Sequence, residues 1–135
     1  MFFTKKKLHF KKGEVIFNEE DESGNEMYFI DSGRVRIVKK VGDTEVTLAI
    51  LGSGNFFGEL SLITGNKRVA SATTLTSCKL HTMDKEAFEA SISNDKKFVR
   101  EILEALAIRL EETDLNLKRH LQRISRLSKV FHITG

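Results

Sequence analysis

Residues 54–72 hold the grouping most capable of chemistry: Gly58-Glu59, with Arg68 nine positions after the glutamate. A strand is expected to end at a glycine, and a short turn of helix to follow over about residues 59–63. Gly65-Asn66 ends that turn, and Lys67-Arg68 leads into a new strand. Backbone N–H groups freed at the start of a helix favour an anion. An arginine folding back from the far end of the loop can grip a phosphate with two parallel hydrogen bonds. A glutamate beside the glycine can accept from a hydroxyl. Together these suit a ligand carrying one phosphate and one sugar hydroxyl. The same residues would also make a surface turn with a salt bridge, and composition alone favours that plainer reading.

Other chemistry is poorly supplied. His9, His81, His120 and His132 are scattered without metal-ligand spacing, and neither a paired-histidine zinc motif nor a nucleophile elbow occurs. Cys78 is the single cysteine. It excludes an internal disulfide, a cysteine-ligated cluster and a thiolate zinc site, and it reads as a small apolar strand residue. A metal-dependent barrel enzyme would need histidines and a carboxylate clustered inside the barrel, so the chain is not expected to be an enzyme.

The elements that must position Gly58, Glu59 and Arg68 change character near residue 85. Before it, Val15-Ile16-Phe17, Met27-Tyr28-Phe29-Ile30, Val35-Arg36-Ile37-Val38 and Val46-Thr47-Leu48-Ala49-Ile50-Leu51 read as strands. So do Val69-Ala70-Ser71-Ala72-Thr73-Thr74 and Cys78-Lys79-Leu80-His81. Glycine turns separate them at Gly13, Ser23-Gly24-Asn25, Gly33, Gly42 and Gly52-Ser53-Gly54. Short strands at regular spacing predict a β jelly roll. Asp84 is placed to cap a short helix over 85–91. Ser93, Asn94 or Asp95 is placed to cap a long one over 96–128. The expected division is a jelly roll with short flanking helices over 1–95 and a long helix with its tail over 96–135.

Along that helix Leu103, Leu106, Leu110, Thr113, Leu117, His120, Ile124, Leu127 and Phe131 alternate by three and four. This is a heptad seam of about four repeats, and a helix of some 33 residues runs about 50 Å, longer than a small barrel can cover. A parallel homodimer through the seam is the simplest way to bury it. Thr113 and His120 are its polar interruptions.

Composition is that of a soluble globular chain, with 40% hydrophobic and 30% charged residues. No run approaches the roughly 20 apolar residues of a membrane helix, and the start has no secretory pattern, so a reducing cytoplasm is expected. Net charge is +3. The lysines at 5–7, 11 and 12 and the basic residues from 118 to 129 read as solvated charge and helix-end cations rather than a nucleic-acid surface, since no stacking aromatics accompany them.

The chain resembles the cyclic-nucleotide-binding domain family, which includes catabolite activators, protein kinase A regulatory subunits and nucleotide-gated channels. Lys12-Gly13-Glu14-Val15-Ile16-Phe17 resembles the family's opening strand. Met27 through Ile37, with Gly33 at the hairpin, resembles its second landmark, and Gly54-Asn55-Phe56-Phe57-Gly58-Glu59-Leu60 its third. Arg68 matches the arginine of the family's phosphate-binding cassette.

The resemblance implies residue roles. Gly58 would bring its N–H to the phosphate, with Leu60 beside it in the cassette, and Glu59 would accept from the ribose 2′-hydroxyl. Arg68 would pair with the cyclic phosphate, helped by the N–H groups of Val69 and Ala70. Val35, Leu48 and Ala49 would line the purine or sugar. Thr113 would hydrogen-bond the adenine from the seam. Asp114 stands where catabolite activators carry a serine reaching in from the partner subunit. Val69 replaces a serine, threonine or alanine common in the family. Loss of that hydroxyl implies preference for cAMP over cGMP and affinity weakened by about 1 kcal/mol.

The implied function is a sensor that binds cAMP as a non-covalent effector. DNA would be reached only through a domain absent from this chain, and no membrane is involved. The chain would be the sensing part of a longer transcription regulator or a stand-alone signalling module. The alternative is a dimeric jelly-roll scaffold that has lost its ligand.

Overall fold

The structure is a computed structural model. It describes residues 6–22 and 25–130, with side chains of the last helix to residue 127. Lys5, the turn residues Ser23 and Gly24, and the tail from Phe131 lie outside the described residues. The chain divides into two compact units, one ending at Ser93 and the other beginning at Asn94.

The first unit is a jelly roll of eight strands: β1 (Lys7–Phe10), β2 (Val15–Phe17), β3 (Glu26–Ser32), β4 (Val35–Val41), β5 (Thr44–Leu51), β6 (Phe56–Phe57), β7 (Ser71–Thr74) and β8 (Cys78–Asp84). They form two four-stranded antiparallel sheets, ordered β1-β8-β3-β6 and β2-β7-β4-β5. The core takes Ile30, Val35, Phe57, Ala72, Cys78 and Leu80 from both sheets. On β8 the buried Cys78, Leu80 and Thr82 alternate with Lys79 and His81, which are not buried, the alternation a half-buried strand requires. Full burial of the core's larger members, Ile30, Val35, Phe57 and Leu80, contributes about 1.5–3 kcal/mol each.

Six expected strands are present; β3, β4, β5 and β8 extend beyond the runs read from the sequence, and β7 is shorter. Residues 69–70 form a bend, so β7 starts at Ser71. β1 and β6 were not expected. Each is four residues or fewer, and a short strand gives too little alternation to read.

Gly33 in the β3–β4 hairpin has φ +96°, and a Cβ there would strike the Ser77 carbonyl and stand 2.6 Å from Cys78 Sγ. Only glycine lets that hairpin pass over buried Cys78. β4 and β5 carry an irregularity: Ile37 faces Ala49 but Val38 faces Thr47, leaving Leu48 as the extra residue of a bulge. A bulge re-aims its side chain, and Leu48 is 54% exposed.

Two helices flank the strands in this unit: α1 (Glu59–Thr64) and α2 (Lys85–Asn94). Asp84 accepts from the Ala87 N–H at 2.8 Å, the side-chain cap expected from its position.

The second unit is dominated by α3 (Lys96–Val130), 35 residues long. Asp95 caps it, accepting from the Phe98 N–H at 3.0 Å, so of the three candidate caps it is the last that serves. At 1.5 Å per residue this helix runs about 52 Å. Leu103, Leu110, Leu117, Ile124 and Leu127 are all exposed, and Leu106 is half-buried.

Candidate functional site

The chain crosses from one sheet to the other between β6 and β7, and that crossing holds the candidate residues. Gly58 ends β6 with φ +81° and stands at the N-cap of α1; Gly65, φ +75°, closes it. Glu59 and Ser61 are buried, while Leu60 is half-exposed on the outer side. Residues 65–70 then return to β7.

Arg68 is 2% exposed. Its Nη1 donates to the Gly58 carbonyl at 2.8 Å and its Nη2 to the Glu26 carbonyl at 2.8 Å. Its guanidinium lies over the Phe17 ring, 4.1 Å from the centroid, with Tyr28 at 5.9 Å. Phe17, Tyr28 and Phe57 pack as one aromatic cluster with centroids 5.2–6.0 Å apart. Burial pulls the guanidinium below its ordinary value and pushes the Tyr28 phenol above its own. Arginine nevertheless keeps its charge in proteins.

Arg68 has no salt bridge to a carboxylate among the described residues, and its Nε donates to nothing. A buried charge whose hydrogen bonds all go to carbonyls is costly, and the nearby carboxylates of Glu26, Asp21 and Glu59 offset part of that cost through space. The Arg68 guanidinium thus lies beneath the surface of the crossing segment, with both Nη groups on carbonyls and only Nε without a partner.

The residues after Arg68 are tied from behind. The Arg68 carbonyl accepts from the Glu20 N–H at 2.8 Å, and the Arg68 N–H donates to the Asp21 carbonyl at 3.0 Å. The Val69 carbonyl accepts from Lys39 Nζ at 2.7 Å. No hydrogen bond is made by the N–H of Val69 or Ala70 among the described residues. In a trans peptide the N–H points opposite its C=O. Each of these two N–H groups therefore points opposite a carbonyl that is already engaged.

The structure brings Gly58, Glu59, Leu60, Arg68, Val69 and Ala70 into one crossing segment. Ala49 is half-buried on β5 and Leu48 stands out from the bulge. Val35, expected to line the ligand, is fully buried in the core cluster. That expectation is corrected: Val35 opens β4 with its side chain turned inward, so it backs the fold and has no surface for a ligand. Thr113 and Asp114 lie on α3 in the second unit, both exposed, and the Thr113 hydroxyl donates to the Arg109 carbonyl at 2.9 Å.

Several participants escaped the sequence reading: Phe17 and Tyr28 beneath the guanidinium, the Glu26 carbonyl, and the pair Lys39–Glu19. They come from three different strands and a turn, so no spacing along the chain relates them. A faint signal was a lysine in mid-strand at 39 facing an acidic turn at 19–22.

No helix among the described residues is long and apolar enough to cross a membrane. Residues 7–95 match the family model of the cyclic nucleotide-binding domain. The chain is 37% identical over 111 residues to a CRP-like cAMP-activated global transcriptional regulator of Mycobacterium tuberculosis, covering 82% of this chain and 49% of that protein. It is 36% identical over 109 residues to the cyclic AMP receptor protein of Thermus thermophilus, covering 80% and 50%. The crystal structure of Thermus thermophilus catabolite activator protein superposes with a TM-score of 0.76 at 33% identity, covering 87% of this chain and 54% of that one. The chain spans about half the length of these curated relatives.

Proposed function

The chain belongs to the cyclic nucleotide-binding domain family, and we propose that it is a sensor module whose effector is cAMP, the ligand-sensing part of a catabolite activator-like transcription regulator or a stand-alone signalling module. The observation that carries this reading is Arg68: buried, without a carboxylate partner among the described residues, and held so that its Nε remains unused. A cyclic phosphate would give the guanidinium a directly hydrogen-bonded anion once it turns from the Gly58 and Glu26 carbonyls. The free N–H groups of Val69 and Ala70 add donors to the same oxygens, and Glu59 accepts from the ribose hydroxyl. Leu48 and Ala49 contribute apolar contact to the base.

Thr113 and Asp114 give the helix a share in base recognition, and the exposed leucine seam pairs with a second copy to make a homodimer. Ligand that binds one arrangement of this helix better than another shifts the dimer between them. On this reading DNA contact would need a further domain.

Val69 removes the hydroxyl that would support guanine, so cAMP is preferred. The test is displacement of a fluorescent cAMP analogue. cAMP should displace it at lower concentration than cGMP, and Thr113→Ala should narrow the gap. The reverse order overturns the Val69 reading, and failure of either nucleotide to bind favours the alternative, a jelly-roll scaffold that has lost its ligand.

A further inference from the structure

We propose that Lys39, on β4, is a positioning residue for the bound phosphate, acting through the peptide between Val69 and Ala70. The inference rests on the cyclic-nucleotide reading above and goes beyond it, because Lys39 lies outside the crossing segment and touches no ligand itself.

The geometry is specific. Lys39 Nζ donates to the Val69 carbonyl at 2.7 Å and to Glu19 Oε2 at 3.2 Å. Glu19 is itself fixed: its Oε1 accepts from the Lys40 N–H at 3.1 Å, and its own N–H donates to Ser71 Oγ at 2.8 Å. Two strands and the 18–22 turn thus converge on one carbonyl. No peptide bond among the described residues is cis, so fixing the Val69 C=O fixes the Ala70 N–H in the opposite direction. That direction is away from Lys39, and the phosphate would lie along it.

Without the lysine the peptide plane has no side-chain anchor and can rotate. The Ala70 donor would then have to be ordered when ligand binds, and ordering costs affinity. The ammonium also offsets part of the negative end of that peptide dipole. A lysine acting only as diffuse positive charge would not require this contact, which separates the two roles experimentally.

The experiment is calorimetric titration of the whole chain with cAMP for wild type, Lys39→Met, Lys39→Arg and Lys40→Met. Lys40→Met removes the same charge one residue away without touching Val69. Amide NMR of Ala70 with and without cAMP accompanies the titrations, since a purely structural role would not single out that resonance.

Lys39→Met should weaken cAMP binding about tenfold, the effect of losing one charge-assisted hydrogen bond. Lys39→Arg should recover most of the loss, and Lys40→Met should stay within about twofold of wild type. The Ala70 amide should shift strongly on binding in wild type and weakly in Lys39→Met. Wild-type affinity in Lys39→Met, or equal losses in both methionine variants, would overturn the proposal while leaving the cyclic-nucleotide reading in place. Absence of binding by wild type would overturn both.

Discussion

A Cβ placed on Gly58 would stand 2.9 Å from Nη1 of Arg68. The glycine is thus required by its neighbour as well as by its own φ of +81°. Gly58→Ala should cost about 1–2 kcal/mol of stability from the left-handed backbone. It should also weaken cAMP binding by at least about tenfold, since the guanidinium must leave the Gly58 carbonyl. Urea denaturation and calorimetry on the same sample check both effects, and a variant binding as tightly as wild type would contradict the packing described.

Glu20 has φ 72°, the one positive value at a non-glycine position among the described residues. Its N–H supports the Arg68 carbonyl, so the strain lies directly behind the cassette. Glu20→Gly should keep that hydrogen bond and relieve the strain, offset in part by glycine's greater unfolded-state entropy. A net gain of about 0.5–1 kcal/mol is expected. A lower denaturation midpoint would contradict it.

Much of this arrangement was legible before the fold. Repeating apolar runs and glycine turns marked six strands, and Asp84 marked a helix start because a carboxylate there caps N–H groups locally. Gly58, Glu59 and Arg68 were visible because they share one short segment. Phe17, Glu19, Tyr28 and Lys39 were not, because they meet Arg68 and Val69 only after strands from both sheets have paired. The bulge at Leu48 depends on register between β4 and β5, and the lining role that the resemblance implied for Val35 does not fit its place in the core, which only the packed sheets reveal.

Glu19 is held below its ordinary value of 4.5, first by the Lys40 N–H and then by the Lys39 side chain. A lowered folded value means its stabilising contribution is present above the unfolded value and is lost as pH falls through the folded one. The stability advantage of wild type over Glu19→Gln should therefore be full near neutrality and shrink as pH drops below 4.5. Denaturation of both proteins between about pH 7 and about pH 3 measures it. A constant difference across that range would remove Glu19 from the acid response.

Leu110 is 70% exposed on α3, in the middle of the seam proposed to pair two copies. Leu110→Glu should convert a dimer to a monomer in sedimentation equilibrium, because a carboxylate at a seam position is buried unpaired on association. A wild-type protein that sediments as a monomer would refute the dimer.

The central claim is that Arg68 exists to hold a cyclic phosphate. Its most direct test is isothermal titration of the chain and of Arg68→Ala with cAMP, each first shown to be folded. Saturable binding by wild type, and a loss of at least about 100-fold in the alanine variant from removing a buried charged partner, is the predicted result. Equal affinity in the two proteins, or no heat from a folded wild type, would contradict it.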